Sequence, residues 1–184
     1  MTALVEESDR DLMRELQGGK TIALEALFVR HHPRVHSFLA RLTGDRDAAD
    51  DLVQEVFLRI LKYRSRFDPS RDFLAWLFRI ARNTAATHFR RQKPTSPEPD
   101  DWADDNPSAL DTLIVGEDRQ QLDRALAALP FAHREVLLLR GMEGLSHRDL
   151  ALALGCSEGA ARVRVHRALR ALKREWATLA GDTR

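Results

Sequence analysis

Apolar residues recur at intervals of three and four along most of the chain, and strand-like alternation is absent. That spacing predicts helices. Ser8-x-x-Asp11 is a capping signature for the first, which the pair Gly18-Gly19 closes. A second is expected from Thr21 to Thr43, with Pro33 kinking it. A third runs from Asp47 to about Tyr63, with acids in its first turn, where the helix dipole favours them. Arg64 to Ser70 reads as a loop ending near Asp68-Pro69, and a fourth helix runs from Arg71 to about Gln92. Further along, helices are expected from Ser108 to Leu129, where Pro130 stops the first of them, from Phe131 to Arg140, from Ser146 to Leu154, and from Ser157 to about Ala180.

The pattern breaks once. Pro94, Pro97 and Pro99 stand close together, and Asp104-Asp105-Asn106-Pro107 continues the interruption. Proline lacks the amide hydrogen and disfavours helix at the preceding residue. Residues 94–107 are therefore predicted to be a flexible acidic linker between an N-terminal domain, 1–93, and a C-terminal domain, 108–184. Trp102 is the one large apolar residue in it. The predicted fold class is all-α: two small helical domains, the C-terminal one a helix-turn-helix.

Composition narrows the classes. With 43% hydrophobic residues in 184, the chain can bury a core. A single cysteine, Cys156, excludes an intramolecular disulfide and a Cys-rich zinc ribbon. No apolar run approaches the ~20 residues of a membrane span, and the acidic start MTALVEESDRDL is unlike a secretory signal. The expectation is a soluble protein of a reducing cytoplasm.

The net charge of +1 conceals three blocks. Residues 1–93 carry 17 basic and 13 acidic residues; residues 94–118 carry eight acids and no base; residues 119–184 carry 12 basic and seven acidic residues. Two basic clusters, Arg79 to Lys93 and Arg162 to Arg174, contain no acid. They suit two modules meeting one polyanion, or simply solvated helix faces.

The segment GLSHRDLALALGCSEGAARVRVHRALRALKR, Gly144 to Arg174, combines several signals. Ser146-x-x-Asp149 opens a short helix, Gly155 is placed to end it in a left-handed conformation, and Ser157 can cap the next. Two helices around a short glycine-containing turn form the helix-turn-helix pattern. Ala161, Val165, Leu169, Leu172 and Trp176 share one face of the second helix. Val163, Arg167, Arg170 and Arg174 lie opposite, flanked by Arg162 and His166. Such a helix fits the major groove; an exposed bundle helix is the plainer alternative.

The fourth helix, AWLFRIARNTAATHFRR, places Phe73, Leu77, Ile80, Ala81 and Thr84 inward and Arg79, Arg82, Asn83, Ala86 and Arg90 outward. Arginines can hold phosphates and the amide can read a base. Phe78 and Phe89 lie at the margin, where they suit either stacking on a single strand or ordinary core packing. The third helix, DAADDLVQEVFLRIL, differs. Asp50, Asp51, Gln54, Glu55 and Arg59 make a largely acidic face that would repel DNA and suits solvent or a protein partner.

Taken in this order, these segments resemble an extracytoplasmic-function sigma factor of bacterial RNA polymerase. DAADDLVQEVFLRIL is similar to that family's polymerase-clamp segment, AWLFRIARNTAATHFRR to its minus-ten helix, and ALP at Ala128 to Pro130, with REVLLLR and the helix-turn-helix, to its minus-thirty-five domain. The resemblance implies that Asp50, Asp51, Leu52, Gln54, Glu55 and Phe57 dock on the clamp helices of the largest polymerase subunit. It implies that the loop holding Tyr63, Arg64, Arg66 and Arg71 captures a flipped minus-ten base. Arg79, Arg82, Asn83 and Arg90 would lie beside the melted strand. Ser157, Arg162, Val163, His166, Arg167 and Arg170 would face minus-thirty-five DNA. Implied partners are core RNA polymerase, including the flap of its second-largest subunit, promoter DNA and an anti-sigma factor, with no membrane insertion. Departures occur at Ala160 and Ala161 after Gly159, at Val163 and at Leu169; they bear on the promoter sequence read.

Two other classes remain in view. A plain helix-turn-helix regulator would leave the third and fourth helices without a task. An enzyme is disfavoured: His31, His32 and His36 lack supporting acidic or Cys ligands, and no phosphate loop or nucleophile motif is present. No metal, cofactor or catalytic residue is expected.

Overall fold

A computed structural model of the chain describes residues 7–92 and 119–181. The linker, Trp102 and the first turns expected after Ser108 lie outside the described residues. Within them the elements are α1 (Asp9–Gln17), α2 (Ile22–Thr43), α3 (Arg46–Tyr63), a 3₁₀ turn (Arg64–Arg66), α4 (Phe73–Gln92), α5 (Arg119–Ala128), α6 (Phe131–Leu137), a π turn (Leu138–Met142), α7 (His147–Leu154) and α8 (Glu158–Gly181). No strand occurs among the described residues.

The helix starts follow local chemistry. Ser8, Asp45 and Ser146 each accept a hydrogen bond from a first-turn amide, satisfying a donor that the helix leaves unpaired. Asp72 accepts from the Ala75 amide at 2.9 Å, so α4 begins two residues later than the pattern predicts. Gly44 and Gly155 end α2 and α7 at φ 76° and 68°, a conformation that costs a residue with a Cβ. Pro33 sits inside α2, which runs through it to Thr43.

One expectation needs correction. The helix expected over Phe131 to Arg140 is α-helical only to Leu137 and then widens into the π turn. That turn closes with the Glu143 amide donating to the Leu138 carbonyl at 3.1 Å.

Helices α1 to α4 enclose a core of Leu12, Leu16, Leu27, Phe38, Leu39, Ile60, Leu77 and Phe78, all removed from solvent. Each such side chain contributes about 1.5–3 kcal/mol of transfer free energy. Phe38 and Phe78 meet edge to face at 5.2 Å. A second group, including Leu126, Leu138, Leu139, Leu150, Ala161 and Ala168, is buried among α5 to α8.

The two groups of helices pack together, α4 against α7. Ion pairs among the described residues cross the boundary, and in Arg82 with Glu135, Arg34 with Glu143 and Arg41 with Asp123 the cation is on the N-terminal side. Arg134 donates back to the Leu42 carbonyl at 3.0 Å. Phe89 meets Phe131 at 5.1 Å.

Candidate polymerase and nucleic-acid interfaces

The loop from α3 to α4 folds over the start of α4 and leaves an open cleft of about 440 Å³. Its bend comes from the 3₁₀ turn and from Asp68, which accepts from the Ser70 amide at 2.9 Å and hydroxyl at 2.8 Å. These bonds, led by the Ser70 amide, hold the Asp68 carboxyl below the usual carboxylate range. Phe67 is buried by the fold of this loop, against Phe73 at 5.9 Å and Trp76 at 5.3 Å.

Tyr63, Arg66, Arg71, Arg79 and Asn83 all line this cleft, so the structure gathers five of the eight residues expected at the minus-ten strand. The Arg66 guanidinium lies over the Tyr63 ring at 4.9 Å, within the range of a cation–π contact. Phe67 and Asp68 of the same loop line it too, as do Arg59, Trp76 and Ile80, which were not expected there. The sequence signal for Arg59 was its place on the acidic α3 face, where it pairs with Glu55 at 2.5 Å. Trp76 could be found only by knowing that Phe67 folds back beside it.

Three expected residues lie elsewhere. Arg64 turns inward and donates to the Leu61 carbonyl at 2.8 Å. Arg90 is exposed near the far end of α4. Arg82 is not on an open face: its Nε donates to Glu135 at 2.6 Å. The stacking alternative for Phe78 and Phe89 is also corrected. Phe78 is wholly buried, and Phe89 is half-buried against Phe131.

On α3 the six residues expected at polymerase divide in two. Asp50, Asp51 and Gln54 are exposed, and Glu55 is half-buried in its pair with Arg59. Leu52 and Phe57 are core residues, 4% and 5% exposed, and so support the face from beneath rather than form it. Period-3.6 spacing puts both just behind the acids, and only burial separates the two sets. Missed were the exposed apolar side chains of Leu58 on α3 and of Phe28 and Val29 on α2. Phe28 meets Phe57 edge-on at 4.9 Å, which joins the α2 and α3 surfaces. His36 approaches Asp50 at 3.3 Å.

In the C-terminal unit, Ser157 accepts from the Ala160 amide at 3.2 Å and caps α8. Ala161, Val165, Ala168, Ala171 and Leu172 are buried, and Leu169 and Trp176 are half-buried against the core. The opposite face presents Arg162, Val163, Arg170 and Arg174 to solvent. His166 and Arg167 lie half-buried at its border. Arg162 pairs with Glu158 at 2.6 Å. Among the described residues no cluster of His, Cys, Asp and Glu could hold a metal, and no helix is long and apolar enough to cross a membrane.

The Sigma-70 region 2 family model matches residues 27–95, and the Sigma-70 region 4 model matches residues 119–172. The RNA polymerase sigma factor CarQ of Myxococcus xanthus is 36% identical over 166 residues, covering 88% of this chain and 93% of its own length. The ECF RNA polymerase sigma factor RpoE of Cereibacter sphaeroides is 31% identical over 177 residues, covering 92% and 98%. Among solved structures, CnrH in complex with the cytosolic domain of CnrY is similar with a TM-score of 0.68 at 25% identity, covering 96% of this chain and 99% of that one. The sigma factor RpoE in complex with the anti-sigma factor NepR from Bartonella quintana has a TM-score of 0.64 at 26% identity, covering 82% and 94%.

Proposed function

This chain belongs to the extracytoplasmic-function sigma factors, and from that premise we propose how its surfaces divide the work of initiation. As a sigma factor it binds core RNA polymerase, directs it to promoters and assists opening at the minus-ten region. It acts by binding, in the cytoplasm where polymerase works, with no reaction of its own.

Helix α3 supplies the polymerase contact through Asp50, Asp51 and Gln54, extended by Leu58 and Phe28. Acids there attract a basic partner helix, and the apolar side chains beside them gain from being covered. The cleft under the α3–α4 loop receives one unstacked base of the minus-ten strand. Trp76 and Tyr63 offer ring faces, Arg66, Arg71 and Arg79 hold phosphates, and the Asn83 amide can read a base edge. Helix α8 reads the minus-thirty-five duplex through Arg162, Val163, His166, Arg167 and Arg170. The similar structure solved with the anti-sigma factor NepR supports control of this chain by such an inhibitor.

The observation that carries this reading is the cleft: arginines and aromatic rings line it together with Asn83 and Asp68, beside a helix whose other face is core. Run-off transcription with purified core polymerase on genomic fragments tests it. Discrete start sites that depend on this chain are expected, with permanganate-reactive thymines around them. A chain that shifts duplex DNA alone and yields no starts with polymerase would mark a plain helix-turn-helix regulator.

A further inference from the structure

Helix α1 lies outside the two family-matched segments, and nothing so far gives it a role. Its last residue is Gln17, whose side-chain Nε2 donates to the Arg64 carbonyl at 2.9 Å and to the Phe67 carbonyl at 2.9 Å. These two carbonyls stand at the start of the 3₁₀ turn and just beyond its end, where the chain changes direction. The amide orientation is forced, because both partners are acceptors and only the NH₂ group can donate to them. One side chain therefore ties both ends of the turn that shapes the cleft.

The anchor behind this tie is buried. Leu12, Met13 and Leu16 are wholly buried, and Asp9 pairs with His31 at 3.0 Å and also with Arg30. The Gly18 amide closes α1 on the Arg14 carbonyl, and the Lys20 amide returns to Glu15, so Gln17 is held at the end facing the loop. The Phe67 amide donates to the Arg64 carbonyl at 3.2 Å. The Arg64 oxygen thus accepts twice, once from within the turn and once from Gln17, while the Phe67 carbonyl accepts from Gln17. Phe67, Arg66, Asp68 and Arg71 reach the cleft from the stretch so fixed.

We propose that Gln17 is a positioning residue for minus-ten base capture, setting the shape of the cleft from behind without touching DNA. The proposal rests on the reading of the cleft given above. A loop free to shift by an ångström at Arg64 and Phe67 would move the Tyr63 and Phe67 walls relative to Trp76 and Arg79. Base choice would then suffer more than overall affinity, which phosphate contacts and α8 largely supply.

The test uses holoenzyme reconstituted with core polymerase and a promoter found by start-site mapping. The probe is forked DNA randomised across the unpaired minus-ten segment, with the bound fraction sequenced. Gln17→Glu keeps the shape but turns an oxygen toward both carbonyls; Gln17→Met keeps the length without a donor. The expected result is a loss of about tenfold in preference at one minus-ten position, the scale of one or two hydrogen bonds. Minus-thirty-five duplex binding and core binding should stay close to the parent chain, while the melting temperature falls modestly, as the loss of two part-buried hydrogen bonds requires. Should Gln17→Glu fail to fold, Gln17→Met decides. Unchanged base preference in Gln17→Met, or a loss spread evenly over all positions, overturns the proposal. Tyr63→Ala and Arg79→Ala run alongside: if these too leave the preference intact, the reading of the cleft itself fails.

Discussion

Arg82 grips Glu135 with two nitrogens, Nε to Oε2 at 2.6 Å and Nη2 to Oε1 at 3.2 Å, across the boundary between the two helical units. The carboxylate is almost wholly buried, and the guanidinium is about a quarter exposed. Burial pushes the Glu135 carboxyl up, and the bond and charge of Arg82 only partly offset it. The pair therefore defines a contact more than it stabilises one.

An asymmetry follows for mutants. Arg82→Ala leaves a buried charge without its partner, a loss of about 3–5 kcal/mol where the pair stays buried. Parting of the two units relieves that cost. Arg82→Met with Glu135→Leu removes both charges and should keep the units together. Small-angle scattering is expected to show a larger radius of gyration for the single variant and none of that growth for the double one.

The same burial fixes a pH direction. Glu135 faces Arg82 and Arg164, and Glu143 faces Arg34, His31 and Arg41; burial is the first cause in both, and both carboxyls are raised. A raised carboxyl binds its proton more tightly in the packed arrangement than when the units part and water returns. Falling pH therefore favours packing as it passes from the raised values toward the ordinary glutamate value, and the gain is complete below that value. Energy transfer between dyes on α4 and α8 should rise from pH 7.5 to pH 5. The rise should flatten in Glu135→Gln with Glu143→Gln.

On α3, exposure separates two kinds of loss. Asp51→Arg with Gln54→Ala, or Leu58→Ser, should weaken core polymerase binding while stability moves by no more than about 0.5 kcal/mol. Leu52→Ala should instead destabilise the fold by about 2–5 kcal/mol, because it opens a cavity. Thermal melts beside polymerase pull-downs check both. A Leu52 variant that melts normally but fails to bind would return that residue to the contact surface.

Much of this architecture is legible in local sequence. Caps at Ser8, Ser146 and Ser157 and the stop at Gly155 are chemical signals within four residues, and the structure uses each. The arginine face of α8, and the shared side of Arg79 and Asn83 on α4, follow from period alone. What fails is non-local. Phe78 and Phe89 look alike along the helix, yet one meets Phe38 in the core and the other meets Phe131 of the second unit. Trp76 becomes a cleft wall only because Phe67 folds back on it, and Arg82 loses its open face to a glutamate 53 residues away. The π turn is invisible because no residue pattern within Leu138–Met142 marks it, and the contact just past it, Glu143 with Arg34, joins residues 109 apart in sequence.

The two arginine surfaces should fail differently, because one faces a groove and the other a cleft. Arg162 is exposed at the start of α8, and its pair with Glu158 is an exposed i,i+4 pair worth only about 0.3–0.5 kcal/mol. It can therefore leave that pair for DNA at little cost. Arg162→Ala should cost roughly 1–3 kcal/mol of discrimination at one minus-thirty-five position. That loss should appear in mobility shifts of upstream duplex by holoenzyme. Arg79 and Asn83 are exposed on the wall of the open cleft, where the reading above places a base that has left the helix. Arg79→Ala and Asn83→Ala should spare the upstream shift and reduce permanganate reactivity of unpaired thymines at saturating holoenzyme. Arg82→Ala adds a comparison within the same helix, since its guanidinium is held chiefly by Glu135 and reaches the cleft only through a bond from Nη1 to Asn83 at 3.2 Å. It should alter the packing of the units before it alters melting. Equal losses of upstream binding in all these variants, with melting unchanged, would show that one basic surface does both tasks.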